Sequence, residues 1–222
     1  MNNAIHYLIN QIKNLKNGKP LIIGIDGVDT SGKTTLADII AEELSKEPNI
    51  RTIRISIDKF HNPKEIRMRQ GSLSPKGYFE DSFNYDVIIN QVLQPIKKGK
   101  ENILLGIYDY RFENEIEKVS IKIDNNSVVL FDGVFLLRDE LYPYWDLSVF
   151  LEVDFTEVIK RALKRDITLF GSDKEVLNRY ENRYIPGQQL YINTSHPQNK
   201  ANIVIDNNDY NNPKIIKYLS NK

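Results

Sequence analysis

The chain has 222 residues, with 30 Lys and Arg balanced by 30 Asp and Glu, 41% hydrophobic residues, 10% aromatic residues and no cysteine. That composition fills one core of ordinary domain size and excludes disulfide scaffolds, thiolate metal centres and cysteine nucleophiles. The charges are spread along the chain without a basic block, which argues against a dedicated nucleic-acid binder.

In chain order, Ile5, Leu8, Ile9, Ile12 and Leu15 follow a helical period that stops at Gly18. This stretch is amphipathic and has no continuous apolar segment, so neither a signal peptide nor a membrane span is expected, and a cytoplasmic location is. Leu21 to Asp26 is short, apolar and β-branched, the pattern of a strand buried on both faces. Lys33 to Ser45 then returns to helical spacing through Leu36, Ile39, Ile40 and Leu44. Further along, Arg51 to Ile57 reads as strand and Tyr85 to Ile96 as helix. Val128 to Phe131 and Leu147 to Val153 read as strands, Phe155 to Thr168 as helix and Ile203 to Ile205 as strand. The alternation predicts an α/β protein with a parallel sheet. Ile103 to Tyr110 and Glu117 to Ile123 read as two extra strands, an antiparallel excursion over about 101–124. The segment His61 to Asn84 is too long for a plain connector, which marks it as functional. Asn125-Asn126 and Asn207-Asn208 mark turns.

Gly27-Val28-Asp29-Thr30-Ser31-Gly32-Lys33-Thr34 fits G-x-x-x-x-G-K-[ST] between a strand and a helix. Glycines let successive N–H groups point at a phosphate that also faces the positive helix end. Gly27, Asp29, Ser31, Gly32, Lys33, Thr34 and Thr35 are therefore the expected nucleotide-binding residues, with Lys33 bridging phosphates and Thr34 Oγ1 on Mg²⁺. Val128 to Phe131 ends in Asp132, the expected second metal residue, although an Asp there also serves as a turn or cap. The GTPase pattern is missing: D-x-x-G occurs only within the loop, at Asp29 to Gly32, and Asn199-Lys200-Ala201-Asn202 lacks the final Asp of N-K-x-D.

Taken together, the phosphate loop, Asp58-Lys59-Phe60, Asp81 to Asp86, Tyr108-Asp109-Tyr110, Phe131-Asp132-Gly133 and the basic stretch Lys160 to Asp166 resemble, in order and spacing, the uridine kinase group, which includes phosphoribulokinases and pantothenate kinases. The resemblance runs from about Pro20 to Asp206. It implies a P-loop NTPase fold in a single domain, 1–222, with a five-stranded parallel sheet flanked by helices. It also implies a small antiparallel β-excursion and a helical lid over about 160–185. Two positions differ from the pattern: Asp132 stands where Glu is usual, and no His follows Tyr108-Asp109-Tyr110.

On this reading Asp58, at the end of the second strand, is the base for the acceptor hydroxyl. Asp81 grips ribose hydroxyls or caps the helix near Tyr85. Tyr108 and Tyr110 share one strand face and wall the acceptor or pack internally. Arg161 and Arg165, one helical turn apart, form a solvated face or aim cations at the transferring phosphoryl group, and Arg179 and Arg183 repeat the spacing. His61 is the histidine the local sequence brings near, and so the expected reader of a base. The expected activity is ATP- and Mg²⁺-dependent phosphorylation of a primary hydroxyl on uridine or cytidine. The alternatives are pantothenate or another alcohol as acceptor, and a nucleotide-binding regulator with no acceptor. The expected partner is a small-molecule alcohol, not nucleic acid or membrane, and a homo-oligomer is compatible with all of this.

Overall fold

The computed structural model describes residues 3–109 and 114–219, with the backbone alone described over 106–109 and 114–117. Helix α1 (Asn3–Leu15) precedes β1 (Leu21–Gly27), and a glycine loop joins β1 to α2 (Lys33–Leu44). β2 (Arg51–Ser56) runs through a 3-10 turn (Ile57–Phe60) to α3 (Lys64–Arg67) and α4 (Pro75–Asp81). α5 (Tyr85–Val87) and α6 (Gln94–Lys97) flank a π turn (Ile88–Leu93), and the strands β3 (Asn102–Asp109) and β4 (Asn114–Lys122) follow. Next come β5 (Ser127–Asp132), β6 (Leu147–Glu152), α7 (Phe155–Arg165), α8 (Ile167–Phe170) and α9 (Asp173–Arg179). A second π turn (Tyr180–Tyr184) leads into α10 (Ile185–Ser195), α11 (Pro197–Lys200), β7 (Ile203–Asp206) and β8 (Lys214–Lys217).

The main sheet has the order β2-β5-β1-β6-β7-β8. Its first five strands are parallel, as the alternating pattern predicts, and β8 adds an antiparallel edge strand that was not expected. All residues of β1 and β5 are buried, which is why their sequences are continuously apolar and β-branched rather than alternating. Leu8, Ile9 and Ile12 of α1 join α2 on one face of the sheet, while the α5–α6 run, Ile103 and Leu105 of β3 and Ile123 just after β4 cover the other. A third, smaller core of Val158, Ala162, Val176, Tyr180 and Ile185 ties the helices after β6 to Val28 of the phosphate loop.

The predicted helix Tyr85 to Ile96 is helical throughout but widens into the π turn, and the predicted helix Phe155 to Thr168 breaks at Asp166, between α7 and α8. Both π turns lie just ahead of a helix that opens on a proline, Pro95 in one and Pro186 in the other. Proline has no N–H to give the preceding turn and its ring crowds that turn's carbonyl, so a wider turn accommodates it.

Parallel pairing sets Ile25 against Asp132, and Ser56 of β2 also against Asp132. The carboxyl ends of β1, β5 and β2 therefore open on one edge, where open α/β sheets bind ligands. Gly133 makes this convergence possible. A methyl group there would stand 2.3 Å from Ile57 Cγ2, so only glycine lets the end of β5 approach the turn that carries Asp58 this closely.

Candidate active site

Beyond β1 the chain turns sharply, and Gly32 adopts φ 96°, a left-handed conformation that glycine takes without penalty. Gly32 is also the N-cap of α2 and supplies no side-chain cap, so the N–H groups of the first turn face outward as anion donors. Lys33 Nζ lies across the loop, donating to Val28 O at 2.6 Å and reaching Ser31 Oγ at 3.4 Å. Burial pushes the Lys33 ammonium down, and Asp29 and Asp26 push it back up.

Three side chains distant in sequence brace the loop. Tyr78 of α4 donates to Asp29 Oδ2 at 2.9 Å, and Gln188 of α10 both donates to that oxygen at 2.8 Å and accepts from Asp29 N at 2.9 Å. Asn207, after β7, donates to Ser31 O at 2.7 Å. Desolvation pushes the Asp29 carboxyl up, with Lys33 and Arg165 opposing.

Beneath the loop, Asp26 is fully buried and accepts from Gly27 N at 2.7 Å, from Leu137 N at 3.0 Å and from the Tyr191 hydroxyl. Burial raises its pKa from 3.8 to about 6 despite these donors. The folded protein thus binds this proton more tightly than the unfolded chain. The group's contribution to stability is complete below the ordinary carboxylate value and is lost as pH rises through about 6. In urea unfolding followed between pH 4 and 7, Asp26→Asn is expected to flatten the decline of stability relative to the unsubstituted chain. Equal slopes in the two proteins would show that Asp26 titrates alike in the folded and unfolded chains.

Thr34, Asp58 and Asp132 meet in a cleft of about 810 Å³ that also takes in Lys33, His61, Arg161 and Arg165. Thr34 Oγ1 donates to Asp132 Oδ2 at 2.9 Å. A hydroxyl beside one carboxylate suits Mg²⁺, a hard cation that takes few protein ligands and completes its shell with water and phosphate oxygens. Asp58 N donates to Ser56 Oγ at 3.3 Å, which pins the turn. The Asp58 carboxyl opens onto the cleft, yet the cleft walls desolvate it and push its pKa up, with Lys33 pulling down and Asp132 pushing up. His61 follows, its Nδ1 donating to Asp58 O at 2.9 Å and its ring 4.5 Å from that of Phe83.

Arg161 and Arg165 leave one side of α7 but go to different places. Arg165 pairs with Asp166 through two bonds of 2.6 and 3.0 Å at the cleft wall. Arg161 donates to Asn207 O and Asn208 O at 2.8 Å each and to Thr30 O at 3.3 Å, and so clamps the loop to the segment after β7. It lines both the cleft and an adjoining pocket of about 520 Å³ walled by Ile5, Leu36, Ile39 and Tyr210. Thr30, Gly32 and Thr35 are shared in the same way. Arg179 and Arg183 also reach the cleft, Arg183 while bonding the carbonyls of Ser72 and Ser74.

Asp81 is placed differently. Its buried carboxyl takes Arg69 and Gln70 Nε2, the latter at 2.7 Å, and the Arg69 bond holds its pKa down. It does not line the cleft, although its neighbours Ser82 and Phe83 do. Nor does it cap the helix at Tyr85, because Asn84 accepts from Val87 N at 3.0 Å and fills that role. Tyr108 falls on β3 opposite Glu115, where the backbone alone is described, and Tyr110 lies outside the described residues.

The family model for "Phosphoribulokinase / Uridine kinase family" matches residues 22–211. Uridine-cytidine kinase B of Dictyostelium discoideum is 30% identical over 175 residues, covering 78% of this chain and 70% of that protein. A pantothenate kinase of Bradyrhizobium diazoefficiens is 26% identical over 193 residues, covering 79% of this chain and 60% of that one. A solved structure described as a possible uridine kinase from Bacillus stearothermophilus superposes with a TM-score of 0.71 at 24% identity, covering 90% of this chain and 96% of that one, and so shares the fold. With the family match spanning the phosphate loop, the turn of Asp58 and the strand end of Asp132, the chain belongs to the phosphoribulokinase and uridine kinase family of phosphotransferases that act on an alcohol group.

Proposed function

We propose that the protein transfers the γ-phosphoryl group of ATP to the primary hydroxyl of a pyrimidine nucleoside. The observation that carries this reading is the convergence of Lys33, Thr34, Asp132 and Asp58 on one cleft. The loop N–H groups and Lys33 would hold the nucleotide's phosphates, and the adjoining pocket beside Tyr210 and Arg161 would take its base. Mg²⁺ held near Thr34 and Asp132 supplies charge neutralisation on the phosphates. Asp58 accepts the proton of the acceptor hydroxyl as its oxygen bonds to phosphorus, and the bridging oxygen departs with ADP. Arg165, at the cleft wall, offsets charge on the transferring group, while Arg161 holds the loop to the segment after β7. The helices after β6 act as a lid that excludes competing water. A coupled ADP-release assay across uridine, cytidine, other nucleosides and pantothenate tests this. Release stimulated by uridine or cytidine is expected, while no stimulation by any alcohol points to a nucleotide-binding regulator.

The lack of a histidine after Tyr110 favours a second acceptor, pantothenate or another alcohol, which the same assay separates. For a nucleoside, His61 reads the base. Its Nδ1 bond to Asp58 O fixes the imidazole at the cleft wall, where the ring offers a polar edge to a pyrimidine. His61→Ala is expected to raise KM for the nucleoside about ten- to a hundredfold, the cost of leaving a buried polar group unpaired, and to leave KM for ATP nearly unchanged. Unaltered nucleoside kinetics would assign base reading to other groups.

A further inference from the structure

Arg54 has no part in the scheme above, yet it touches the scheme's central carboxylate. On β2, Ile53 and Ile55 point into the core, which leaves Arg54 on the face covered by α2. Its Nη2 lies 2.9 Å from Asp132 Oδ1 and 3.5 Å from Thr34 O, and its Nη1 pairs with Asp38 of α2. Its Nε is buried with no hydrogen-bond partner among the described residues. A buried donor left without a bond is costly, so the two carboxylates that take the terminal nitrogens dictate where this side chain sits. Asp132 is 2% exposed, and its two oxygens are divided, Oδ1 to Arg54 and Oδ2 to Thr34.

We infer that Arg54 is a positioning residue that sets the divalent-ion affinity of the Asp132 site. By fixing Oδ1 it keeps Oδ2 directed at Thr34, and its fixed positive charge repels an arriving dication and so weakens that ion's hold. The inference rests on the reading of Asp132 as the metal-supporting carboxylate.

The test is an electron paramagnetic resonance titration of Mn²⁺ into the full-length protein with ADP bound, a readout independent of turnover. Arg54→Leu removes the charge and the donors, and it is expected to bind Mn²⁺ about three- to tenfold more tightly while kcat falls because the carboxylate is no longer fixed. Arg54→Lys keeps the charge and is expected to bind Mn²⁺ as the unsubstituted protein does. Where the leucine variant does not fold, Arg54→Gln gives the same comparison. Unchanged or weaker Mn²⁺ binding on loss of the charge, with only a lower Tm, makes Arg54 purely structural and overturns the inference. Asp132→Asn separates the two levels. If it binds Mn²⁺ normally, the reading of Asp132 fails and this inference with it. If it loses Mn²⁺ while Arg54→Leu does not tighten, the Arg54 inference alone fails.

Discussion

Lys33→Ala is expected to fold with a Tm close to that of the unsubstituted protein and to lose about 10²- to 10³-fold in kcat, the effect of removing a preorganised charge from a developing anion. Folding survives because the loop is braced from elsewhere: Tyr78 and Gln188 hold Asp29, and Asn207 holds Ser31. The Lys33 ammonium is itself desolvated, so removing it relieves a cost that Asp29 and Asp26 only partly offset. Circular dichroism melting and a coupled ADP-release assay together check both halves. Near-normal turnover in a folded variant would remove the phosphate loop from the chemistry and leave it a structural turn.

What could be read along the chain is what is local. The phosphate loop declares itself because glycines, lysine and threonine at fixed spacing answer one local demand, a backbone that curls around an anion between a strand and a helix. The buried strands β1 and β5 declare themselves because both faces demand apolar residues. The groups that brace the loop do not: Tyr78, Gln188 and Asn207 lie 49, 159 and 176 positions from their partners, and no nearby periodicity marks them. Arg54 stayed hidden for a related reason. The alternation of Ile53, Ile55 and Ile57 makes it look like a solvent-side residue, and only the pairing of β2 with β5 brings it to Asp132. Asp81 was misleading because its partners Arg69 and Gln70 sit in a stretch whose helices α3 and α4 are too short to show a period. The strand β8 has only four residues, too few for alternation to register.

Asp58→Asn is expected to leave ATP affinity nearly intact while kcat falls about 10²- to 10⁴-fold, the usual contribution of a positioned general base. Geometry separates the two effects. On the proposed reading the loop and Lys33 hold the phosphates, whereas Asp58 stands on the turn after β2, placed by the Ser56 bond and by the close approach that Gly133 allows. Asparagine preserves shape but loses both the negative charge and the capacity to take a proton, so a drop confined to kcat with ATP affinity intact assigns Asp58 to the chemical step rather than to nucleotide binding. The pH profile gives an independent reading. Desolvation raises the Asp58 pKa, and a base must be deprotonated to act, so kcat/KM should begin to fall on acidification at a higher pH than an ordinary aspartate would give. Closure of the helices after β6 would strengthen that desolvation by excluding water from the cleft. In Asp58→Asn the residual activity should lose this acid limb. If the variant instead keeps kcat and loses ATP binding, Asp58 supports the nucleotide or its metal, and the proton must leave the acceptor by another route.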